Sequence, residues 1–579
     1  MLLMNIFPII LLVTALFWRQ KSCQIFYLLS WLRWYNTAWL KFWHRTCNLF
    51  LTAISLLQKM DPTNSMNHRY RLQLLGMFIL WSALACGFPT TTVGEGRTLI
   101  PPEDVVDFFP RPTEGPYAEF DFLPVLRQPD EPVPTPTPDP ERMLPPYRTT
   151  SETYFVQAND TLGTIASRFG VSIQAIAQEN GIADINLLSV GQQLMIPPPD
   201  PVAPAPDFKL IPDSELVNGP YNARVDLAAF ILNHQGYLAN YSQEVEGETL
   251  NGIEVVQRVA RNYSINPRLL LAVLEYQSGW LTQPQSSIQE FNYPVGIRDD
   301  WREGLYFQLA WTANSLNRAF YLWRVNGLGY YTSADGRLIP ASPRINAGTA
   351  ALHYLFALLQ DEATWRSTVS PNGFIQTYQN LYGHPFDWTV EPLIPPDLAQ
   401  PDLQLPFENG VRWIFTGGPH GGWDGGSAWA AVDFAPPKEE FGCIQNDAWV
   451  VAMADGLVVR SDNGAVVQDL DGDGHEETGW VIFYLHIETR DRIPLGTYLS
   501  AGDRIGHPSC EGGVSTGTHV HIARRYNGEW IAVNSNLPFI MDGWTAVDTG
   551  ELYGGYLQKG DQVIEPCQCK DEENKIERP

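Results

Sequence analysis

The residues best suited to chemistry are gathered near the C-terminus, around Thr518-His519-Val520-His521. In an extended strand, side chains two apart lie on one face, so His519 and His521 project together. Upstream, Gly417-Gly418-Pro419-His420 opens a Gly-rich loop that ends at Ala431-Val432-Asp433-Phe434, and Tyr484-Leu485-His486 closes an apolar, strand-like run. Of the eleven histidines in the chain, six fall between 420 and 521. A single His-x-His pair is usually two solvated strand side chains; this concentration is what points to a metal instead. Catalytic zinc takes three protein ligands from His and Asp and keeps a fourth position open. Three of these five groups could hold zinc, leaving two for catalysis. There is no His-Glu-x-x-His, which excludes the helical metalloprotease arrangement.

These five positions, His420, Asp433, His486, His519 and His521, resemble the lysostaphin-type zinc endopeptidases that cut bacterial peptidoglycan. The thirteen residues from His420 to Asp433 are similar to the long loop of the LasA and β-lytic branch. The resemblance implies one zinc held by His420, Asp433 and His521. It also implies His519 and His486 as general base and as donor to the developing oxyanion, without saying which does which.

The elements that must position these groups read as short strands, Trp449 to Ala452, Leu457 to Arg460, Trp480 to His486 and Thr518 to Arg524, with Gly and Asp at the turns. Such a pattern suits an antiparallel all-β domain over residues 406–540. Asp469-Leu470-Asp471-Gly472-Asp473-Gly474 begins like a calcium loop, so Ca2+ on Asp469, Asp471 and Asp473 stands as an alternative to a solvated hairpin. The twelfth position, where such loops carry Glu, is Trp480. His475 and His507 read as surface histidines. Residues 541–579, with Tyr553-Gly554-Gly555-Tyr556, read as an added hairpin without an assigned role. Cys443 and Cys510 lie in loops of this region and favour one bridge, with a second between Cys567 and Cys569 in the tail.

Further upstream, residues 153–198 read strand, helix, helix, strand. Asp160 is expected to cap a helix running to Phe169, and Ser172 a second one ending at Asn180-Gly181. Tyr154 to Leu162 and Val190 to Pro197 resemble the LysM module, which implies binding of N-acetylglucosamine-containing glycans through Asp160, Thr161 and Leu162. Beyond a 199–210 linker, residues 211–395 read as mostly α, with helices from Pro267 to Ser278 and from Ala347 to Leu359, followed by a 396–405 linker. Asn266 to Val273 resembles the catalytic helix of lysozyme-like lytic transglycosylases. The pattern breaks at Gln277-Ser278, because glutamine cannot supply a proton where those enzymes place Glu. Glu275 lies about 200° around the helix from Gln277, so a glycan-holding domain is expected rather than a muramidase. Trp301, Trp311, Tyr330 and Tyr331 serve either as sugar-stacking or as core residues.

The chain has 579 residues, 44% apolar and 18% charged, with 45 prolines, enough for several domains. A net charge of -26 argues against a nucleic-acid partner. Residues 1–65 are basic and rich in tryptophan, either a membrane region or an upstream segment. Met66 to Ala85 reads as a signal peptide and Cys86 as a candidate lipidation site, before a Pro-rich tether over 86–152. Together these readings describe an exported peptidoglycan endopeptidase, membrane-anchored and facing the cell wall or, if Cys86 is not lipidated, secreted. The competing readings are a silent wall-binding or amidase-activating protein and a bifunctional muramidase plus endopeptidase.

Overall fold

The computed structural model describes residues 142–144, 148–157, 160–199, 202–285, 291–437, 441–569 and 571–578. The basic segment 1–65, the signal peptide, Cys86 and nearly all of the Pro-rich tether lie outside the described residues. Among the described residues, no helix is long and apolar enough to cross a membrane.

The expected βααβ module is present. Strand Glu152–Phe155 pairs antiparallel with Gln193–Ile196, and helices Leu162–Phe169 and Ile173–Glu179 lie between them in sequence. Ser172 caps the second helix through the Ala175 N–H, and Gly170, at φ +63°, stops the first. The first cap differs from expectation. Thr161 Oγ1 accepts from the Thr164 N–H, while the Asp160 carboxylate accepts from the Tyr154 hydroxyl at 2.5 Å and the Gln157 N–H at 2.7 Å. Asp160 thus ties the strand end to the helix start. Leu162 is also corrected: at 2% exposure it sits in the core with Ile165, Ile176, Leu194 and Ile196 and presents nothing to a glycan, whereas Thr161 is exposed.

Residues 211–395 are mostly α. Asn266 caps helix Pro267–Ser278 through the Arg268 N–H, with Pro267 in the first turn and Gly279 at φ +67° ending it. Helix Leu305–Arg324 packs against both Ala347–Leu359 and Gly252–Tyr263 around Trp280, Trp323 and Trp365. Glu275 accepts from the Leu281 and Thr282 N–H groups and from the Thr282 hydroxyl, and Gln277 donates to the Val295 carbonyl. Both side chains fasten the chain after the helix. The four aromatics divide: Tyr331 is buried core, Trp311 is half-buried, and Tyr330 and Trp301 are exposed.

The C-terminal region holds a nine-stranded antiparallel sheet. Its spatial order is Tyr498–Leu499, Gly456–Asp462, Ala465–Asp469, Trp480–Leu485, Val520–Tyr526, Trp429–Ala435, Arg412–Gly421 and Lys575–Glu577, with Glu529–Trp530 pairing on Val520–Tyr526. Central strands are buried on both faces: Trp480–Leu485 reads as a continuous apolar run, while Trp429–Ala435 and Val520–Tyr526 carry buried polar and charged residues among the apolar ones. One face carries Trp413, Phe415, Val432, Phe434, Ile482, Tyr484, Val520 and Ile522. The other carries Ala431, Val467, Val481, Phe483, Ala523 and Trp530, and Tyr321 of the helical domain packs against it.

The tail is not an added hairpin. Ile540–Met541, Trp544–Val547, Tyr556–Lys559 and Gln562–Ile564 form a second sheet whose Met541, Trp544, Ala546, Leu557 and Ile564 complete the first core. Lys575–Glu577 then joins the main sheet beside Arg412–Gly421. A domain ending at 540 would leave that core open. Cys443–Cys510 and Cys567–Cys569 are both disulfides. His507 is not a surface residue: it is buried against Trp449, ring centroids 4.0 Å apart, and its Nδ1 donates to the Ala448 carbonyl.

Candidate active site

Asp433 and His521 are direct cross-strand partners on adjacent strands, and Leu485, the residue before His486, is the partner of His521 on its other side. Register therefore brings Asp433 and His521 together, while His486, one residue past the strand end, would alternate to the opposite face and instead has a left-handed backbone, φ +66°. His420 arrives differently. Strand Arg412–Gly421 slips register on both sides of His420, and such bulges re-aim a side chain. Gly417 allows the approach, since a Cβ there would lie 2.5 Å from Asp433 Oδ2. His519 sits just before its strand, on the same face as His521, as the two-residue period requires.

Each ring nitrogen can be assigned from its neighbour, because a backbone carbonyl only accepts. His420 Nδ1 faces the Gly418 carbonyl at 2.9 Å, and His521 Nε2 faces that of Gly422 at 3.0 Å. Those nitrogens carry the protons. The other two, His420 Nε2 and His521 Nδ1, are then bare lone pairs 2.9 Å apart, each 3.3 Å from Asp433 Oδ1. Asp433 Oδ1 is itself buried without a hydrogen-bond partner. Two lone pairs and a carboxylate oxygen converging on one point repel each other unless a cation lies between them. All three atoms lie within 4.8 Å of one another, and the donor set suits zinc.

The remaining two histidines lie beside this cluster. Their ring centroids are 4.4 Å apart, and His519 Nε2 is 3.8 Å from Asp433 Oδ1. His486 Nδ1 donates to the Glu511 carbonyl at 2.8 Å and His519 Nδ1 to that of Gly517 at 2.7 Å. Both therefore keep Nε2 as the free nitrogen. Burial, reinforced by the neighbouring His519 and His521, pushes the His486 pKa down to about 3, which keeps it neutral.

Two features were not foreseen from the sequence. Tyr553 stacks on His420, and the carbonyls of Gly418, Gly422, Glu511 and Gly517 fix the tautomers. The Tyr553-Gly554-Gly555 turn was a visible signal for the first; backbone carbonyls leave none. Elsewhere, Asp469, Asp471 and Asp473 do cluster. Their oxygens accept from the N–H groups of Asp471, Gly472, Gly474, Asp473 and His475 and from the Thr478 hydroxyl. The carboxylates bind their own turn, Trp480 begins a buried strand, and calcium has no support.

Comparison with known proteins agrees with this architecture. Residues 154–197 match the LysM domain, and residues 209–396 match "LasA, N-terminal domain", which is the description found for the helical region. Protease LasA of Pseudomonas aeruginosa is 26% identical over 303 residues, covering 48% of this chain and 67% of that protein. Beta-lytic metalloendopeptidase of Lysobacter enzymogenes is 26% identical over 152 residues, covering 26% and 82%. Among solved structures, the M23 metalloprotease pseudoalterin aligns over 29% of this chain and 96% of its own, at 22% identity and a TM-score of 0.25. The chain thus carries matches to a LysM domain and to a LasA N-terminal domain, and it is similar to protease LasA and to beta-lytic metalloendopeptidase.

Proposed function

We propose that this chain hydrolyses peptide bonds in the stems or cross-bridges of bacterial peptidoglycan, with zinc held by His420 Nε2, Asp433 Oδ1 and His521 Nδ1. The observation that carries this reading is the convergence of two bare imidazole nitrogens on a buried, unpartnered carboxylate oxygen. Zinc bound there supplies Lewis-acid polarisation of a scissile carbonyl and a nucleophile at neutral pH. His486 and His519 do the proton work. Each is locked by a carbonyl on Nδ1, so each presents Nε2 as acceptor; the one that takes a proton becomes the donor for the other half of the reaction. His519, less buried than His486 and nearer the ligand carboxylate, is the better placed general base; His486, with a bare Nε2, donates to the oxyanion only after it has itself taken a proton.

The LysM module raises local substrate concentration through glycan, with Thr161 as the exposed member of its expected site. The helical domain adds glycan contact at Trp301, which is 88% exposed. Export fits both the Cys443–Cys510 bridge and the peptidoglycan substrate, and Cys86 is the residue through which a lipid would tether the enzyme. A silent wall-binding role is disfavoured by the completeness of the centre, with all five side chains in place. The test is release of new amino groups from purified peptidoglycan by the full chain, before and after chelation and zinc readdition. Chelator-sensitive release supports the endopeptidase. Stoichiometric zinc with no release supports the wall-binding role.

A further inference from the structure

The loop that joins the two strands carrying His420 and Asp433 is gripped by the other domain. Gly422 supplies the carbonyl that receives the His521 Nε2–H at 3.0 Å. Immediately after it, the Tyr263 hydroxyl donates to Asp424 Oδ2 at 3.1 Å, and the Gly426 N–H donates to Asn314 Oδ1 at 2.7 Å. Tyr263 ends helix Gly252–Tyr263, and Asn314 lies midway along Leu305–Arg324. Gly426 passes so close to that helix that a Cβ on it would lie 2.1 Å from the Asn314 carbonyl oxygen.

The same contact continues below the loop. Gly422 lies flat on Trp530, where a Cβ would meet the indole at 2.5 Å. Trp530 donates from Nε1 to the Tyr263 carbonyl and from its backbone N–H to the Tyr321 hydroxyl. Tyr263 therefore holds the Gly422 region from two directions, through Asp424 and through Trp530. Within the loop, Gly422 N–H to the Ala428 carbonyl and Ser427 Oγ to the Asp424 carbonyl close it into a short rigid turn. A displacement at Asp424 or Gly426 is thus passed to the Gly422 carbonyl rather than absorbed.

From this we infer that Tyr263 and Asn314 of the helical domain are positioning residues for the metal centre, acting through the 421–428 loop on the His521 imidazole. Partners that fix the far nitrogen of a ligating histidine set its tautomer and ring orientation, and their loss typically costs about 10–100-fold in metal affinity. The LasA N-terminal domain is on this account part of the outer shell of the peptidase site. The inference rests on the zinc reading of His420, Asp433 and His521.

The test is zinc affinity of the full chain, measured by competition with a chromophoric chelator, for wild type, Tyr263→Phe, Asn314→Leu and Asn314→Asp. Asn314→Leu, which removes the acceptor, is expected to weaken zinc about tenfold, the low end for outer-shell partners. Tyr263→Phe, which deletes one oxygen, is expected to cost about threefold, the scale of one hydrogen bond. Asn314→Asp retains an acceptor and restores binding. A merely structural role would lower the melting temperature while leaving zinc affinity alone, and wild-type affinity in both Tyr263→Phe and Asn314→Leu overturns the inference. Should Asn314→Leu fail to fold, Tyr263→Phe decides by itself. If wild type binds no zinc, the metal reading itself has failed, which is a distinct result from unequal affinities.

Discussion

The phenol of Tyr553 lies over the imidazole of His420, ring centroids 4.3 Å apart and planes 27° from parallel. Two backbone hydrogen bonds, Gly418 N–H to the Tyr553 carbonyl and Tyr553 N–H to the Pro419 carbonyl, clamp the turns that carry the two rings. The C-terminal tail thus braces His420, one of the three proposed zinc ligands. An aromatic stack of this kind is worth about 1 kcal/mol. Tyr553→Ala is expected to weaken zinc binding about fivefold in chelator competition, while Tyr553→Phe keeps the ring and the affinity.

The Cys443–Cys510 bridge anchors the segment that supplies the Glu511 and Gly517 carbonyls to the two non-ligand histidines. The three proposed ligands, His420, Asp433 and His521, sit on strands. Replacing both cysteines by serine is expected to lower kcat for peptidoglycan while zinc content stays near one. It should also cost about 2–4 kcal/mol of stability, read by denaturant unfolding. Loss of zinc in parallel with kcat would contradict this division.

His353 is fully buried between Tyr331 and Trp365, with neither ring nitrogen hydrogen-bonded, and burial lowers its pKa to about 3. Its unfolded value is about 6.5, so the unfolded chain binds the extra proton between those two values. The stability that neutral His353 confers is complete above pH 6.5 and is lost as pH falls towards 3, by at most about 5 kcal/mol. His353→Phe, which keeps a ring without a titrating group, is expected to flatten the acid limb of a stability profile between pH 6.5 and 4. An unchanged limb would show that this imidazole does not set it.

Leu162 is a core residue of the LysM module rather than a glycan contact. Leu162→Ala is expected to destabilise the module by about 2–5 kcal/mol, whereas Leu162→Met keeps both folding and wall binding. A Met variant that folds normally yet loses glycan affinity would return Leu162 to the binding site.

Much of the centre was legible because strand periodicity and register are local rules. His519 and His521 share a face by their two-residue spacing, whereas the pairing of His521 with Asp433 is a long-range sheet register. Helix Pro267–Ser278 was legible for a related reason, since an Asn-Pro start and an αL glycine announce its ends, and Ala347–Leu359 was legible from its long apolar run. What stayed hidden depends on long-range packing. Tyr553 reaches His420 only because the tail folds back as a second sheet, and His507 is buried only because Trp449 covers it. Asp160 looked like a cap, but Tyr154, six residues earlier, competes for its carboxylate. The lysozyme-like reading of 211–395 rested on one helix, and a helix of common composition is weak evidence for a domain.

The division of labour within the five-residue centre is tested most directly by comparing His519→Ala with His521→Ala in the full chain, measuring bound zinc and amine release from peptidoglycan together. The account predicts that His519→Ala keeps about one zinc per chain, as three intact ligands require, and loses activity by about a hundredfold or more, while His521→Ala loses both. Zinc lost equally from both variants, or activity retained in His519→Ala, would contradict the assignment of three ligands and two proton-handling histidines.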